Sequence, residues 1–126
     1  MVGEDPFIWR DPRNKVQVLH MLRHVGRSKF NWTGNNGGHQ WSHDNGLTWH
    51  SHGTTDAYPC HAEFEDGSDA GFMMRERPHL VFAEDGVTPL ALTNGAAVGP
   101  CTGMTQGSKN DYSYTLLQKL NQEPWG

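Results

Sequence analysis

Short apolar segments separated by Asp/Asn-Gly turns recur along the whole chain, and this pattern limits the fold more than any other feature. The turn signals are DPRNK at 11–15, DNG at 44–46, DGSD at 66–69 and EDGVT at 84–88. Asn and Gly tolerate positive φ, and an Asp side chain can bond the backbone two residues on. The segments between the turns are rich in aromatic and branched residues, and they predict strands at 7–9, 16–22, 37–42, 47–50, 61–65, 71–76, 79–83, 89–94 and 112–120. The sequence therefore predicts an all-β fold of about eight strands joined by antiparallel hairpins.

Length and composition narrow the class of protein further. The 126 residues suffice for a single modest domain spanning 1–126, and 15 glycines and 7 prolines disfavour a helical bundle. A net charge of -4 gives no basic surface, so nucleic acid is not an expected partner. No apolar run predicts a membrane span, and the first residues, MVGEDPF, do not resemble a signal peptide.

The cysteines and histidines leave two questions open. Cys60 and Cys101 fit one disulfide and fit two buried thiols equally well. Asn31 begins an Asn-Trp-Thr glycosylation triplet, which favours an extracellular or secretory location. Eight histidines are many for this length, but their spacing does not predict a zinc site, and no metal-binding residues are assigned.

The octapeptide SHDNGLTW at 42–49 fits Ser-x-Asp-x-Gly-x-Thr-Trp at every fixed position. It resembles the Asp box, a hairpin turn of β-propeller blades in sialidases and related carbohydrate-active proteins. We expect the aspartate and the hydroxyls to bond backbone N–H groups of the turn, with Gly46 supplying backbone freedom and Trp49 packing beneath it. The alternative is an ordinary Asp-Asn-Gly hairpin. In either case the motif is structural and does not indicate catalysis.

Two further segments, EDPFIW at 4–9 and ERPHL at 76–80, resemble segments of five-bladed propeller glycoside hydrolases of the family 43 type. The resemblance implies about two blades from the C-terminal part of such a propeller, acting on carbohydrate. Glu76 would be the general acid, and Asp5 would orient it and tune its pKa. His39, Trp41 and Arg75 would contact the substrate. The resemblance implies no cofactor, although calcium is an alternative at propeller centres.

The chain departs from this family because the third carboxylate, the base or nucleophile, would lie on a blade absent here. A complete five-bladed ring also needs on the order of 300 residues. Three explanations stay open: a fragment of a larger propeller, a small β protein that pairs with copies of itself or with another chain, or a separate closed fold. We do not expect the chain to turn over a substrate by itself.

The same residues have other interpretations. Glu76 lies between two arginines, which also suits a surface ion-pair ladder, and Asp5 suits a simple turn cap. The alternative function is a non-catalytic carbohydrate-binding or structural module that self-assembles. In that case sugars would stack on exposed tryptophans, which we expect at Trp9, Trp32, Trp41 and Trp125.

Overall fold

Two antiparallel sheets of four strands each make up the described part of the chain. The structure, a computed structural model, describes residues 4–13, 15–25, 36–51, 56–99, 101 and 114–120. These residues contain no helix of the length and apolarity needed to cross a membrane. The all-β prediction is confirmed, and two four-stranded sheets are consistent with a partial, propeller-like arrangement.

Each sheet is built from consecutive strands in chain order. The first contains β1 (Glu4–Asp11), β2 (Val18–Val25), β3 (Asn36–Ser42) and β4 (His50–Ser51), and the second contains β5 (His61–Glu63), β6 (Asp69–Phe82), β7 (Pro89–Val98) and β8 (Tyr114–Lys119). Strand β6 connects the two sheets, because it packs against β1, β2 and β3. The core between the sheets contains Leu22, Tyr58, Leu80 and Leu92, with Phe7, Trp9, Phe82 and Leu120 at its margin.

Three predicted strand boundaries are corrected. The segments 71–76 and 79–83 form one long strand, β6. The strand continues through Pro78 because its pairing register with β7 shifts between Glu76 and His79, so proline leaves no regular backbone hydrogen bond unmade. The predicted strand 47–50 shortens to β4, since most of that segment belongs to the preceding turn. Strand β7 extends to Val98, beyond the predicted end of the strand at residue 94.

The turn at 42–49 is held by its own side chains. Asp44 Oδ1 accepts the Thr48 N–H at 2.8 Å, and Asp44 Oδ2 accepts the Thr48 hydroxyl at 2.5 Å. Ser42 Oγ accepts the Gly46 N–H at 2.8 Å, and Trp49 Nε1 donates to the Gly46 carbonyl at 3.0 Å. Gly46 has a φ of +87°, which only glycine adopts without strain. These bonds fix the chain reversal between β3 and β4.

Two other hairpins use the same chemistry. Asp66 accepts the backbone N–H and the hydroxyl of Ser68 between β5 and β6. Asp85 accepts the N–H groups of Val87 and Thr88, and also the Thr88 hydroxyl, between β6 and β7. At the point where the strands separate, each aspartate side chain therefore provides hydrogen bonds in place of those between the two backbones.

A disulfide joins Cys60 to Cys101, with 5.6 Å between their Cα atoms. It connects the start of β5 to the residues that follow β7. The sequence left this pairing open, because the separation of the two cysteines in space depends on how the second sheet folds.

The Arg75 guanidinium lies at the centre of the second sheet and is completely buried. Its Nη1 donates to the carbonyl oxygens of Pro59 and His61, at 2.8 and 3.1 Å. Its Nη2 donates to Gln118 Oε1 at 2.7 Å, and its Nε donates to Asn94 Oδ1 at 3.0 Å. Burial lowers the pKa of Arg75, although the buried guanidinium keeps four neutral acceptors that replace water.

Replacing this guanidinium should cost much of the stability of the chain. We expect Arg75→Met to lower the free energy of unfolding by about 3 kcal/mol or more, because four buried acceptors lose a charged donor. The neighbouring Arg77 is exposed, and Arg77→Lys should change the free energy by less than about 0.5 kcal/mol. Chemical denaturation measures both, and equal effects would contradict the central role of Arg75.

The 42–49 turn should make stability depend on pH. Hydrogen bonds lower the pKa of Asp44 from 3.8 to about 2. The largest contributions come from the hydroxyl and N–H of Thr48, and a smaller one comes from the Ser42 hydroxyl. Since the folded pKa is below the unfolded value, the stabilisation is complete above the unfolded pKa and disappears as pH falls toward about 2. We expect Asp44→Asn to lower the unfolding temperature at pH 7 and to make little difference near pH 2. The exposed Glu63 on β5 provides the control Glu63→Gln, which should have no such effect.

Candidate functional site

Two residues that precede proline adopt left-handed backbone conformations, one in each sheet. Asp5 precedes Pro6 on β1 with a φ of +52°, and Arg77 precedes Pro78 on β6 with a φ of +49°. The pairing register between neighbouring strands shifts at both places. Such conformations in non-glycine residues cost on the order of 1–3 kcal/mol each, and they concentrate at functional sites. Both bulges lie beside a predicted catalytic carboxylate.

The two carboxylates, Asp5 and Glu76, act on the same buried side chain, Tyr58. The pKa of the Tyr58 phenol is raised well above its usual range, chiefly by burial. Arg75 and Asn94 oppose this shift, whereas the charges of Asp5 and Glu76 add to it. Asp5 on the first sheet and Glu76 on the second therefore both act electrostatically on one phenol.

The Tyr58 hydroxyl lacks a hydrogen bond of good geometry among the residues that the structure describes. Asn94 lies near enough to influence the phenol, but the Asn94 side chain is already bonded to Arg75 Nε and to the Glu76 carbonyl. Tyr58 is only 3% exposed. A buried hydroxyl of this kind requires an explanation, such as an ordered water or a bound polar group.

Arg75 was predicted to contact substrate, but its side chain is 0% exposed. Its acceptors are all carbonyl and amide oxygens, so Arg75 does not form a surface ion pair with Glu76. The guanidinium instead lies over the Tyr58 ring, 4.7 Å from its centroid. These contacts give Arg75 a structural function beneath the site.

His39 and Trp41 belong to a continuous aromatic band that crosses the first sheet. The band comprises His79, Phe7, Trp9, His20, His39, Trp41, His50 and His43, and successive ring centroids lie 4.2–5.9 Å apart. Strand register produces it, because Trp9 pairs with His20, His20 with Trp41 and Trp41 with His50. The band leads from the β6 bulge at His79 to the 42–49 turn.

Two histidines in the band share one hydrogen bond. His20 Nδ1 lies 3.0 Å from His39 Nε2, so one ring must donate and the other must accept. Burial lowers the pKa of His20, although Asp11 opposes this effect. The neutral form of His20 is therefore favoured near neutral pH, where it can serve as donor or acceptor.

Trp9 and Trp41 are half-buried, which corrects the predicted exposure of these two rings. Trp9 packs against the core, and Trp41 contacts His39 in a tilted arrangement and stacks on His50. Trp32, Trp125 and the glycosylation triplet at Asn31 lie outside the described residues.

Sequence reasoning missed Tyr58, which is the centre of this site, because it lies in a segment predicted to be a loop. Its carbonyl accepts the Gly37 N–H at 2.9 Å, and its ring covers Gly37 so closely that any Cβ there would clash. A pair of glycines before His39 was the only signal in the sequence. Glycine in a strand often marks the close approach of another group.

Comparison with known proteins adds no identification. A scan against family models found no match, and searches of curated proteins and of solved structures found none either.

Removing the Tyr58 hydroxyl should not destabilise the protein. We expect Tyr58→Phe to leave the free energy of unfolding unchanged or to raise it by up to about 1 kcal/mol, since a poorly bonded buried hydroxyl is removed. Tyr114 is 43% exposed, and Tyr114→Phe is the control with no expected effect. Thermal denaturation measures both, and a marked loss for Tyr58→Phe would show that the hydroxyl is satisfied.

Proposed function

We propose that this chain is a carbohydrate-recognising unit related to five-bladed propeller glycoside hydrolases. Glu76 is the general acid in this proposal and Asp5 is the carboxylate that orients it. The observation that carries the proposal is that Asp5 and Glu76, at or beside positive-φ residues on different sheets, both add to the raised pKa of the buried Tyr58 phenol.

The chemistry of glycoside hydrolysis suits this arrangement. One carboxyl must be protonated to donate to the leaving oxygen, and a nearby carboxylate favours that state by repulsion. The Tyr58 phenol is protonated at neutral pH, and burial raises its pKa further, so the site keeps a neutral hydroxyl that can donate a hydrogen bond. The base is expected from another blade, supplied by the remainder of a propeller or by a second copy. By itself the chain should bind sugar without cleaving it.

Other features support the same proposal less directly. The 42–49 turn has side-chain bonds that suit the Asp-box motif. The Cys60–Cys101 disulfide suits an oxidising, extracellular environment. Carbohydrate-active proteins commonly act in such environments.

The aromatic band favours a second candidate, a non-catalytic carbohydrate-binding module. Sugars present apolar faces that stack on aromatic rings, and the half-buried Trp41 lies in the band beside the exposed His50. In this case binding depends on the band and not on the carboxylates.

Binding to a panel of oligosaccharides, measured by calorimetry, distinguishes the two candidates. If the carboxylates form the site, Asp5→Asn and Glu76→Gln should each weaken binding about tenfold or more, because charge-assisted hydrogen bonds to sugar hydroxyls are lost. Asparagine tolerates the positive φ of residue 5, so Asp5→Asn preserves the bulge. The exposed Glu63 is the matched control, and Glu63→Gln should bind normally.

The module hypothesis predicts the opposite pattern. Trp41→Ala should abolish binding while the two carboxylate variants bind normally. The control is Phe64→Ala, at an aromatic residue that is 40% exposed and outside the band, and this variant should bind sugar normally. If no oligosaccharide binds to the wild-type chain, both proposed functions are wrong for this chain in the absence of a partner.

A further inference from the structure

Three metal-ligating side chains, none of them a predicted carboxylate or a member of the aromatic band, meet at the start of β5. The Sγ atoms of Cys60 and Cys101 and a ring nitrogen of His61 all lie within 4.8 Å of one another. Cys60 is buried, Cys101 is half-buried and His61 is exposed. We propose that reduction of the disulfide converts this group into a zinc site of two thiolates and one imidazole.

The conversion balances with a dithiol reductant. The dithiol gives two electrons and two protons to the Cys60–Cys101 bond and becomes a disulfide itself, leaving two thiols on the protein. A zinc ion then binds the two sulfurs as thiolates, and their two protons pass to solvent. Neutral His61 supplies the third ligand through a ring nitrogen. Sulfur and nitrogen ligands select zinc over calcium or magnesium, which prefer oxygen.

Cys60 is held in place by bonds that do not depend on the disulfide. The carbonyl groups on either side of it, those of Pro59 and His61, both accept from Arg75 Nη1. The Cys60 carbonyl itself accepts the Phe72 N–H at 2.7 Å. The backbone that carries two of the three ligands therefore stays in position when the sulfurs separate.

The other side of the site is also fixed by backbone contacts. The Gly99 N–H donates to the Gly71 carbonyl at 3.1 Å, which holds the chain just before Cys101 against β6. A Cβ at Gly71 would lie 3.7 Å from Cys101 Sγ and 3.0 Å from the Gly99 carbonyl. The absence of a side chain at Gly71 leaves this sulfur room to rotate.

The distances suit tetrahedral zinc after small side-chain rotations. Zinc–sulfur bonds of about 2.3 Å and zinc–nitrogen bonds of about 2.0–2.1 Å place the ligand atoms about 3.7 Å apart. The His61 ring nitrogen already lies within 4.8 Å of both sulfurs, and the two sulfurs, which are bonded to each other in the disulfide, must move apart to this spacing on reduction. Because the described residues contribute three ligands, a water molecule would complete the coordination. The site thus resembles open zinc sites more than closed structural ones.

Cobalt, a spectroscopic substitute for zinc, provides the test. The full chain is reduced with dithiothreitol, desalted without oxygen and titrated with Co²⁺. We expect one equivalent to give thiolate-to-cobalt charge-transfer bands, which Zn²⁺ then removes. The oxidised chain should give no such bands. His61→Gln should weaken zinc binding about tenfold or more, because one of the three ligands is lost, whereas Glu84→Gln, a change at an exposed residue of the turn between β6 and β7, should not.

Three results would overturn the proposal. One is the lack of thiolate–cobalt bands in a reduced chain that keeps its circular dichroism spectrum. Another is zinc affinity that is unchanged in His61→Gln, because the metal would then use the thiolates without the imidazole. The third is a chain that unfolds on reduction and is not refolded by Zn²⁺, since the backbone contacts described above would then be too weak to hold the ligands.

Discussion

The stacking of Arg75 on Tyr58 is the interaction on which the two sheets most depend. The Tyr58 carbonyl accepts the Gly37 N–H of β3 and its ring covers Gly37, while the guanidinium of Arg75, on β6, lies over the same ring. A guanidinium stacks favourably on an aromatic face, and the contact strengthens when water is excluded. The same guanidinium holds the carbonyl groups around Cys60. One buried cation therefore organises the segment between the sheets and the start of β5.

This arrangement explains why the candidate site lies where it does. Tyr58 packs in the core between the sheets, and Asp5 and Arg77 are the points where β1 and β6 depart from regular pairing. The bulges cost free energy, which the packed core and the Arg75 hydrogen bonds must offset. A chain selected only for stability would have little reason to keep two positive-φ residues before prolines. Their position beside the two carboxylates supports a functional interpretation.

Local chemistry predicted the hairpins well and the strand lengths poorly. Asp44, Asp66 and Asp85 act within four residues of their own positions, so the sequence contains nearly all the information that these turns need. Strand β6 was divided in the prediction, because Pro78 looks like a stop signal when its neighbours in the sheet are unknown. The ladder tolerates it through a bulge, and whether a bulge forms depends on the pairing of β6 with β7.

The sequence alone determined the all-β class, the hairpin turns and the two Pro-containing segments that carry Asp5 and Glu76. These features depend on residues only a few positions apart in the chain. Only the tertiary structure decided that Arg75 is buried, that Tyr58 is central, that Cys60 meets Cys101 and that Trp9, His20 and Trp41 form one row. Each of these depends on strand register or on packing between sheets. Register joins residues that are far apart in the chain, and a shift of one position would turn every side chain to the opposite face.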